Sequence, residues 1–234
     1  MIVSHRYRFI FLKTGKVGGT SLEIALSKYL GGDDIITPIK AQDERVRANH
    51  GFPGPRNYVV PFAERNLYEH ARVLRNQLGM GGKLPRKYWN HMPAASVRKA
   101  LGDKIWNSYF KFSVERNPWD QVVSRYYWDR PKMSFREFVE SGRGYRRCNY
   151  DLYSINGLPA TDYLICYEKL REGLAEVSDK IGLPENVADI FAEIRAKGQF
   201  RPSGSPYREH FDERTREIVR LQYAREICLL GYDF

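Results

Sequence analysis

The chain has 234 residues, and 38 lysines and arginines against 28 acidic residues give a formal net charge of +10. This length suits one domain with a full-sized core, and 42% hydrophobic with 28% charged residues is typical of a soluble globular protein. No apolar run is long enough to cross a membrane, and the chain starts without the pattern of a secretory signal. The positive charge predicts attraction to polyanions or anionic cofactors.

The cysteine spacing argues against two further kinds of structure. Cys148, Cys166 and Cys228 show no C-x-x-C spacing, which argues against a metal site and against a disulfide framework. Cys166 follows an apolar run and Cys228 lies in a helical pattern, so we expect buried free thiols. This pattern favours a reducing, cytoplasmic location.

The predicted elements alternate between strands and helices. The first strand spans 7–12, a helix follows over 21–29, and a short strand covers 34–37 before Pro38. After a long irregular stretch, the predicted elements are a helix at 94–101, a strand at 110–114, helices at 119–128 and 135–140, a strand at 163–166, and helices at 170–181, 187–197 and 213–230. The alternation predicts an α/β, P-loop-like three-layer fold with a mainly parallel central sheet flanked by helices.

We expect residues 1–234 to form a single domain. Residues 38–89 are rich in Gly, Pro, Asn and Arg, and show no sustained periodicity beyond one possible helix at 62–77. Long irregular insertions in compact domains often have functional roles. We interpret this stretch as an insertion that faces the substrate.

Residues 9–24 carry the strongest functional signal. An apolar run enters a loop with three glycines and two lysines, and the loop opens through Thr20 and Ser21 into an amphipathic helix. Backbone N–H groups and the positive end of a helix dipole favour an anion at such a place. The sequence therefore predicts an anion cradle for the 5′ phosphates of a nucleotide, made of Lys16, Val17, Gly18, Gly19, Thr20 and Ser21.

The cradle differs from the P-loop of NTPases, G-x-x-x-x-G-K-[ST]. Here Lys16 precedes the glycine pair, and no lysine follows the last glycine. The reversed order suits a nucleotide whose chemistry needs no magnesium. A glycine-rich turn without a ligand is the alternative interpretation.

A second segment follows the predicted strand at 110–114. Arg116 ends that strand, and Ser124 lies two turns into the next helix. A guanidinium and a hydroxyl at these places could bind one phosphate between them. Alternatively, Arg116 pairs with Glu115 or Asp120 on the surface.

Together the two segments resemble the cofactor motifs of sulfotransferases that use 3′-phosphoadenosine 5′-phosphosulfate (PAPS). In that family a P-K-T-G-G-T-S loop binds the 5′-phosphosulfate, and an R-[DN]-P-x-x-R-x-[VS]-S-x-Y segment binds the 3′-phosphate. Residues 16–21 fall on the first motif, and Arg116, Asn117, Pro118, Ser124 and Tyr126 fall on the second. Gly15 stands where proline is usual, and Gln121 where a basic residue is common. The resemblance implies PAPS as co-substrate and no metal.

Further likenesses lie downstream. Residues 164–170 resemble the family's strand that ends in Y-E-x-L, and residues 207–234 resemble the closing helix of carbohydrate-type and bacterial members. Arg201 is a third candidate contact to the 3′-phosphate. The resemblance leaves out residues 38–89.

His91, in Asn90-His91-Met92-Pro93, is the candidate catalytic base. Heparan sulfate 2-O-sulfotransferases are similar in placing a catalytic histidine upstream of the arginine motif. A neutral imidazole could take the proton of an acceptor hydroxyl. His50 is the rival base, and a structural histidine bonded to backbone is the alternative for His91.

These motifs predict transfer of a sulfuryl group from PAPS to an acceptor hydroxyl by in-line attack, with Lys16 stabilising the leaving phosphate. The aromatic and basic residues of the insertion favour a carbohydrate acceptor, for example an anionic glycan, and a small alcohol or a lipid head group stays open. A P-loop nucleotide kinase and a basic nucleic-acid-binding protein are the competing hypotheses. The chain lacks the standard Walker loop that a kinase would need, and no nucleic-acid-binding motif accompanies the positive charge.

Overall fold

A computed structural model describes residues 1–81, 84–145, 148–194 and 206–234 of the chain. The strands of this part are β1 (Ile2–Ser4), β2 (Phe9–Phe11), β3 (Ile35–Ile36), β4 (Phe110–Glu115), β5 (Ser154–Ile155), β6 (Leu158–Pro159) and β7 (Tyr163–Cys166). Five of them form a central sheet in the order β3-β1-β2-β4-β7, and β5 and β6 form a separate hairpin. The fold is therefore α/β, as the sequence predicts.

The expectation of a mainly parallel sheet is wrong, because the sheet is mixed. β4 pairs in parallel with β2 and with β7, whereas β1 pairs antiparallel with both β2 and β3. The sequence pattern missed β1, whose three residues carry no strong signal. The predicted strand at 7–12 is the shorter β2.

Side chains of the sheet alternate between two cores. Phe9 and Phe11 of β2 pack in one core, while Ile10 and the following Leu12 pack in the other. Successive residues of a strand point to opposite faces, so this alternation means that both faces are covered. The apolar run that enters the cradle is consequently a fully buried strand.

Helices cover both faces of the sheet. In the described residues they are α1 (Gly19–Ser27), α2 (Ala41–Asn49), α3 (Leu67–Gln77), α4 (Ala94–Leu101), α5 (Asp103–Ser108), α6 (Pro118–Asp129), α7 (Phe135–Glu140), α8 (Tyr150–Tyr153), α9 (Leu170–Lys180), α10 (Val187–Glu193), α11 (Glu213–Gln222) and α12 (Ala224–Leu230). One face carries α1, α9 and α10, the other carries α4, α5 and α8, and a third cluster joins α6, α7 and α11. No helix among the described residues is long and apolar enough to traverse a bilayer.

The insertion holds more helix than its sequence suggests. α2 occupies 41–49, and the predicted helix at 62–77 is a 3-10 turn, Phe62–Glu64, followed by α3. The single helix predicted at 213–230 is two helices that meet at Tyr223. Cys228 is exposed rather than buried.

Candidate functional site

The loop between β2 and α1 has the backbone of an anion-binding turn. Lys16 has φ 64° and Gly18 has φ 70°, both in the left-handed region. A lysine rarely adopts this conformation, and such strain clusters at functional sites. Gly18 occupies the N-cap of α1 and has no side chain with which to cap the helix. The first N–H groups of α1 therefore have no N-cap side chain as partner, which favours an anion there.

Close packing disfavours a side chain at two glycines of this loop. A Cβ on Gly19 would lie 3.1 Å from Lys13 Cγ, and one on Gly18 would lie 3.2 Å from Phe191 Cζ. Val17 is fully buried in the core, so only its backbone is placed to contact a ligand. Thr20 and Ser21 are 9% and 8% exposed, at the entrance to α1. The predicted cradle is therefore one tightly packed turn.

Lys13 lies beneath the turn and was missed by the sequence analysis. Its side chain is buried, its ammonium lies 3.1 Å from Thr20 Oγ1, and it forms an ion pair with the buried Glu23. Burial raises the pKa of Glu23, but the charges of Lys13 and of the Met1 amino group outweigh it and lower that pKa to about 2. Glu23 therefore stays ionised and anchors Lys13 under the cradle.

Arg116 lies against the cradle. Its Nη1 donates to the carbonyl oxygen of Lys16 at 3.0 Å, although the two residues are 100 positions apart in sequence. Its Nε and Nη2 bind Asp120 Oδ2 at 2.7 and 2.6 Å, and its guanidinium lies 4.5 Å from the ring centroid of Tyr167. Arg116 thus pairs with Asp120, as the alternative interpretation expects, and it also reaches the loop, while its binding of a phosphate stays a prediction.

The turn after Arg116 collects the downstream motifs. Asn117 caps α6 by accepting from the backbone N–H of Trp119 at 3.1 Å, and its own backbone N–H donates to Glu168 at 2.7 Å. The hydroxyl of Tyr232 lies 3.0 Å from Glu168 Oε2, and Asn117 Nδ2 donates to the carbonyl of Asp233. The Y-E segment and the C-terminal tail therefore hold the turn that presents Arg116.

A buried amide network fixes the other end of the loop. Asn149 accepts from the Gly15 N–H at 2.8 Å and donates to the Gly15 carbonyl at 3.1 Å. Gln121 Nε2 donates to the same carbonyl at 3.3 Å, and both amides reach Glu115 Oε1. Burial raises the pKa of Glu115 to about 8, despite the hydrogen bond from Asn149. No local sequence signal marks Asn149 for this role, because its partner lies 134 residues away.

Ser124 and Trp128 lie one turn apart on α6. Ser124 is half-buried, and its hydroxyl has no hydrogen-bond partner within the described ranges. The Lys16 ammonium lies 4.2 Å from the centroid of the Trp128 ring, and that of Lys40 lies 4.6 Å from it. Lys40 is exposed and lies near the start of the insertion, so 38–89 reaches the cradle at this indole. Neither Lys40 nor Trp128 was singled out in the sequence.

His91 belongs to the same region. Its Nδ1 donates to the carbonyl oxygen of Lys13 at 3.1 Å, since a carbonyl can only accept, and this leaves Nε2 as the unprotonated nitrogen of the neutral ring. Burial, with the charge of Lys13, lowers the pKa of His91 to about 4. Its φ of 56° is again left-handed. His50 is exposed and stacks on Phe52 at 5.3 Å, with no hydrogen bond to the loop.

The structure thus brings residues 16–21, Arg116 and His91 together around one turn, with Ser124 on the adjoining helix. Arg201 lies outside the described residues. No group of histidine, cysteine and acidic residues suited to hold a metal occurs in the part of the chain that is described.

No family model matches the chain. It is 40% identical over 118 residues to a protein from Archaeoglobus fulgidus described as uncharacterized. The match covers 47% of this chain and 98% of the archaeal protein. That description states no activity, so the match shows a relationship between the two proteins but gives no information on function.

Proposed function

This chain belongs to the same family as the archaeal protein, and we propose that it is a PAPS-dependent sulfotransferase with a P-loop-like nucleotide site. The observation that carries the proposal is the contact of Arg116 with the Lys16 carbonyl. Two segments that match the two halves of one cofactor signature, 100 residues apart, meet at one turn. A glycine-rich turn without a ligand gives no reason to expect this contact with the second segment.

The donor is expected to lie along the cradle and α6. Lys16, the N–H groups at the start of α1, and the hydroxyls of Thr20 and Ser21 hold the 5′-phosphosulfate. Arg116 and Ser124 hold the 3′-phosphate. The residues fit the donor, because the glycine N-cap of α1 leaves the first N–H groups of the helix without a capping side chain. The donor supplies the sulfuryl group and leaves as 3′,5′-diphosphoadenosine.

Catalysis needs a proton acceptor and a cation. The acceptor oxygen bonds to sulfur as the bond from sulfur to the phosphate oxygen breaks, and that oxygen keeps the electron pair. His91 Nε2 takes the hydroxyl proton, and Lys13 fixes the ring through its carbonyl. Lys16 neutralises the charge that builds on the leaving phosphate, a task that requires no metal.

The acceptor is proposed to be a hydroxyl compound with an anionic group, such as an acidic glycan, and the site is proposed to act in the cytoplasm. Lys40 supports an anionic acceptor. Its exposed ammonium lies on the same indole ring as that of Lys16, and it has no acidic partner within the described residues. Two cations on one ring favour an anion beside them.

The direct test is transfer of label from PAPS labelled in its sulfuryl group to a panel of carboxylated and neutral oligosaccharides and small alcohols, in a chelating buffer. We expect labelled product and 3′,5′-diphosphoadenosine in equal amounts. The matched control is Arg116→Lys, which keeps the charge but loses the forked contact. Absence of transfer to every acceptor, together with no binding of the donor, would reject the proposal.

A further inference from the structure

Residues 62–80 concentrate exposed apolar side chains. In the described part of the chain ten large apolar side chains are exposed, and six of them lie in this segment: Phe62, Leu67, Tyr68, Leu74, Leu78 and Met80. The other four are separated along the chain. Single exposed apolar residues need no explanation, whereas a contiguous group marks an interaction surface. We call residues 62–80 the apolar segment.

The helix in this segment is amphipathic, and its apolar face points to solvent. Leu67, Ala71, Leu74 and Leu78 are spaced by four, three and four residues, so they form one stripe along α3 and its C-cap. Leu67 is 90% exposed and Leu78 is 63% exposed. The half-buried residues lie on the opposite side: Glu69, His70, Arg72 and Val73. A surface helix ordinarily buries its apolar stripe, so this stripe is available to another partner.

Local bonds rather than burial hold α3. Asn66 accepts from the Glu69 N–H at 2.9 Å, and Glu69 accepts from the Asn66 N–H at 3.0 Å. This capping box satisfies orphan N–H groups at the first turn. The helix is therefore formed before any partner covers the stripe.

The charges around the stripe are mainly basic. The Arg65 guanidinium lies 5.8 Å from the Phe62 centroid, and that of Arg72 lies 5.7 Å from the Tyr68 centroid. Arg75 is exposed and borders the stripe. Both acidic side chains are engaged, Glu69 in the capping box and Glu64 with Lys87 at 2.7 Å. The segment thus presents apolar side chains rimmed by cations.

We propose that the apolar segment docks on an anionic lipid surface, with the stripe of α3 inserted among the head groups. An amphipathic helix with leucine and aromatic residues on one side and arginine at the rim is the chemistry that binds such an interface. Docking of this kind requires no membrane-spanning helix.

A second copy of the chain fits the same surface less well. Two-fold pairing of α3 through the stripe would bring Arg75 of both copies near each other, while Glu69 stays in its capping box. Like charges at close range oppose such a contact. An anionic bilayer instead complements Arg75 and the net charge of +10.

Vesicle flotation tests the proposal on the full chain. Vesicles of phosphatidylcholine alone and of phosphatidylcholine mixed with phosphatidylserine serve as probes. We expect binding to the mixed vesicles that weakens with salt, and about tenfold weaker binding for Leu74→Glu, because one inserted leucine is lost. Arg75→Glu should weaken binding to the mixed vesicles alone.

The matched control is Leu221→Glu on α11, since Leu221 is 59% exposed and Leu74 is 57% exposed. Equal flotation of Leu74→Glu and Leu221→Glu, or no flotation of the unaltered chain, overturns the proposal. Light scattering without lipid adds a further outcome. A dimer that Leu74→Glu alone dissociates would assign the stripe to a second copy instead.

Discussion

Lys16 is the residue in which strain and charge coincide. It holds a left-handed backbone, its carbonyl accepts from Arg116 and its ammonium lies on the Trp128 ring. This arrangement keeps a long, mobile side chain close to the loop before a ligand arrives. Preorganisation of this kind is what stabilises charge that appears only in the transition state.

Replacement of Lys16 tests that role. Lys16→Ala should lower kcat by roughly 10²- to 10³-fold, because a positioned donor to the leaving phosphate is lost. Circular dichroism should stay unchanged, since the side chain is not part of the core. The control is Lys40→Ala, which removes the other cation on Trp128 and should act mainly on KM for the acceptor. A kcat for Lys16→Ala within a few-fold of the unaltered enzyme would contradict the assignment.

His91 predicts an unusual pH profile. Burial and Lys13 hold its pKa at about 4, so the imidazole is neutral and able to accept a proton at any pH well above 4. We expect kcat/KM to stay level as pH falls through 6.5 and to decline only near 4. His91→Gln should cost about 10²- to 10⁴-fold in rate, whereas His50→Gln should cost nothing. A decline centred near pH 6.5, or full activity of His91→Gln, would exclude this base.

The lowered pKa of His91 also makes the free energy of unfolding depend on pH. The unfolded chain binds a proton at His91 near pH 6.5, while the folded chain binds one only near pH 4. The stability that comes from burying neutral His91 is therefore present above pH 6.5 and is lost as pH falls toward 4. Urea denaturation across this range should show a smaller decline for His91→Gln.

At the scale of elements, two bonding systems clamp the loop between β2 and α1. Asn149, at the N-cap of α8, fixes Gly15 at the start of the loop, and Arg116, after β4, fixes the next residue. The amide of Gln121 is part of the clamp at Gly15. It spans from the loop carbonyl to the buried Glu115 and donates to both.

Asn149→Ala should loosen this clamp. It removes both contacts to Gly15 and one to Glu115, and we expect a cost of about 1–3 kcal/mol in urea denaturation. Binding of 3′,5′-diphosphoadenosine should weaken as well, because the loop is no longer preorganised. Asn66→Ala is the control: it loses a helix cap on the insertion, with a cost of about 1 kcal/mol, and should leave nucleotide binding intact. Equal effects of the two variants on binding would show that Asn149 acts through general stability.

Elements with a strong periodic pattern were predictable and others were not. The helices at 94–101 and 135–140 and the strand at 163–166 are confirmed with their predicted bounds. α2 was missed because Val46 is the one large apolar residue among its nine. β1 was missed because its turn into β2 uses Arg8 at φ 53° where glycine or asparagine would signal a hairpin. That omission is the reason that the sheet was expected to be mainly parallel.

At the scale of the whole molecule, the fold gathers motifs that are distant in sequence. The two segments that are proposed to hold the donor follow adjacent parallel strands, β2 and β4, so both lie at one edge of the sheet. Sequence alone could put forward the loop, the arginine and the histidine as candidates, because their residue types suit the proposed chemistry. It could not indicate Lys13, Asn149 or Lys40, whose roles depend on tertiary contacts over tens of residues.

The most direct measurement is calorimetry of 3′,5′-diphosphoadenosine and of 5′-AMP with the unaltered chain and with Arg116→Ala, in a buffer with a chelator. We predict binding without any divalent ion, a clear preference for the ligand with the 3′-phosphate, and loss of that preference in Arg116→Ala. Absence of heat with 3′,5′-diphosphoadenosine, or binding of ATP only when magnesium is added, would contradict a metal-free site that holds both phosphates.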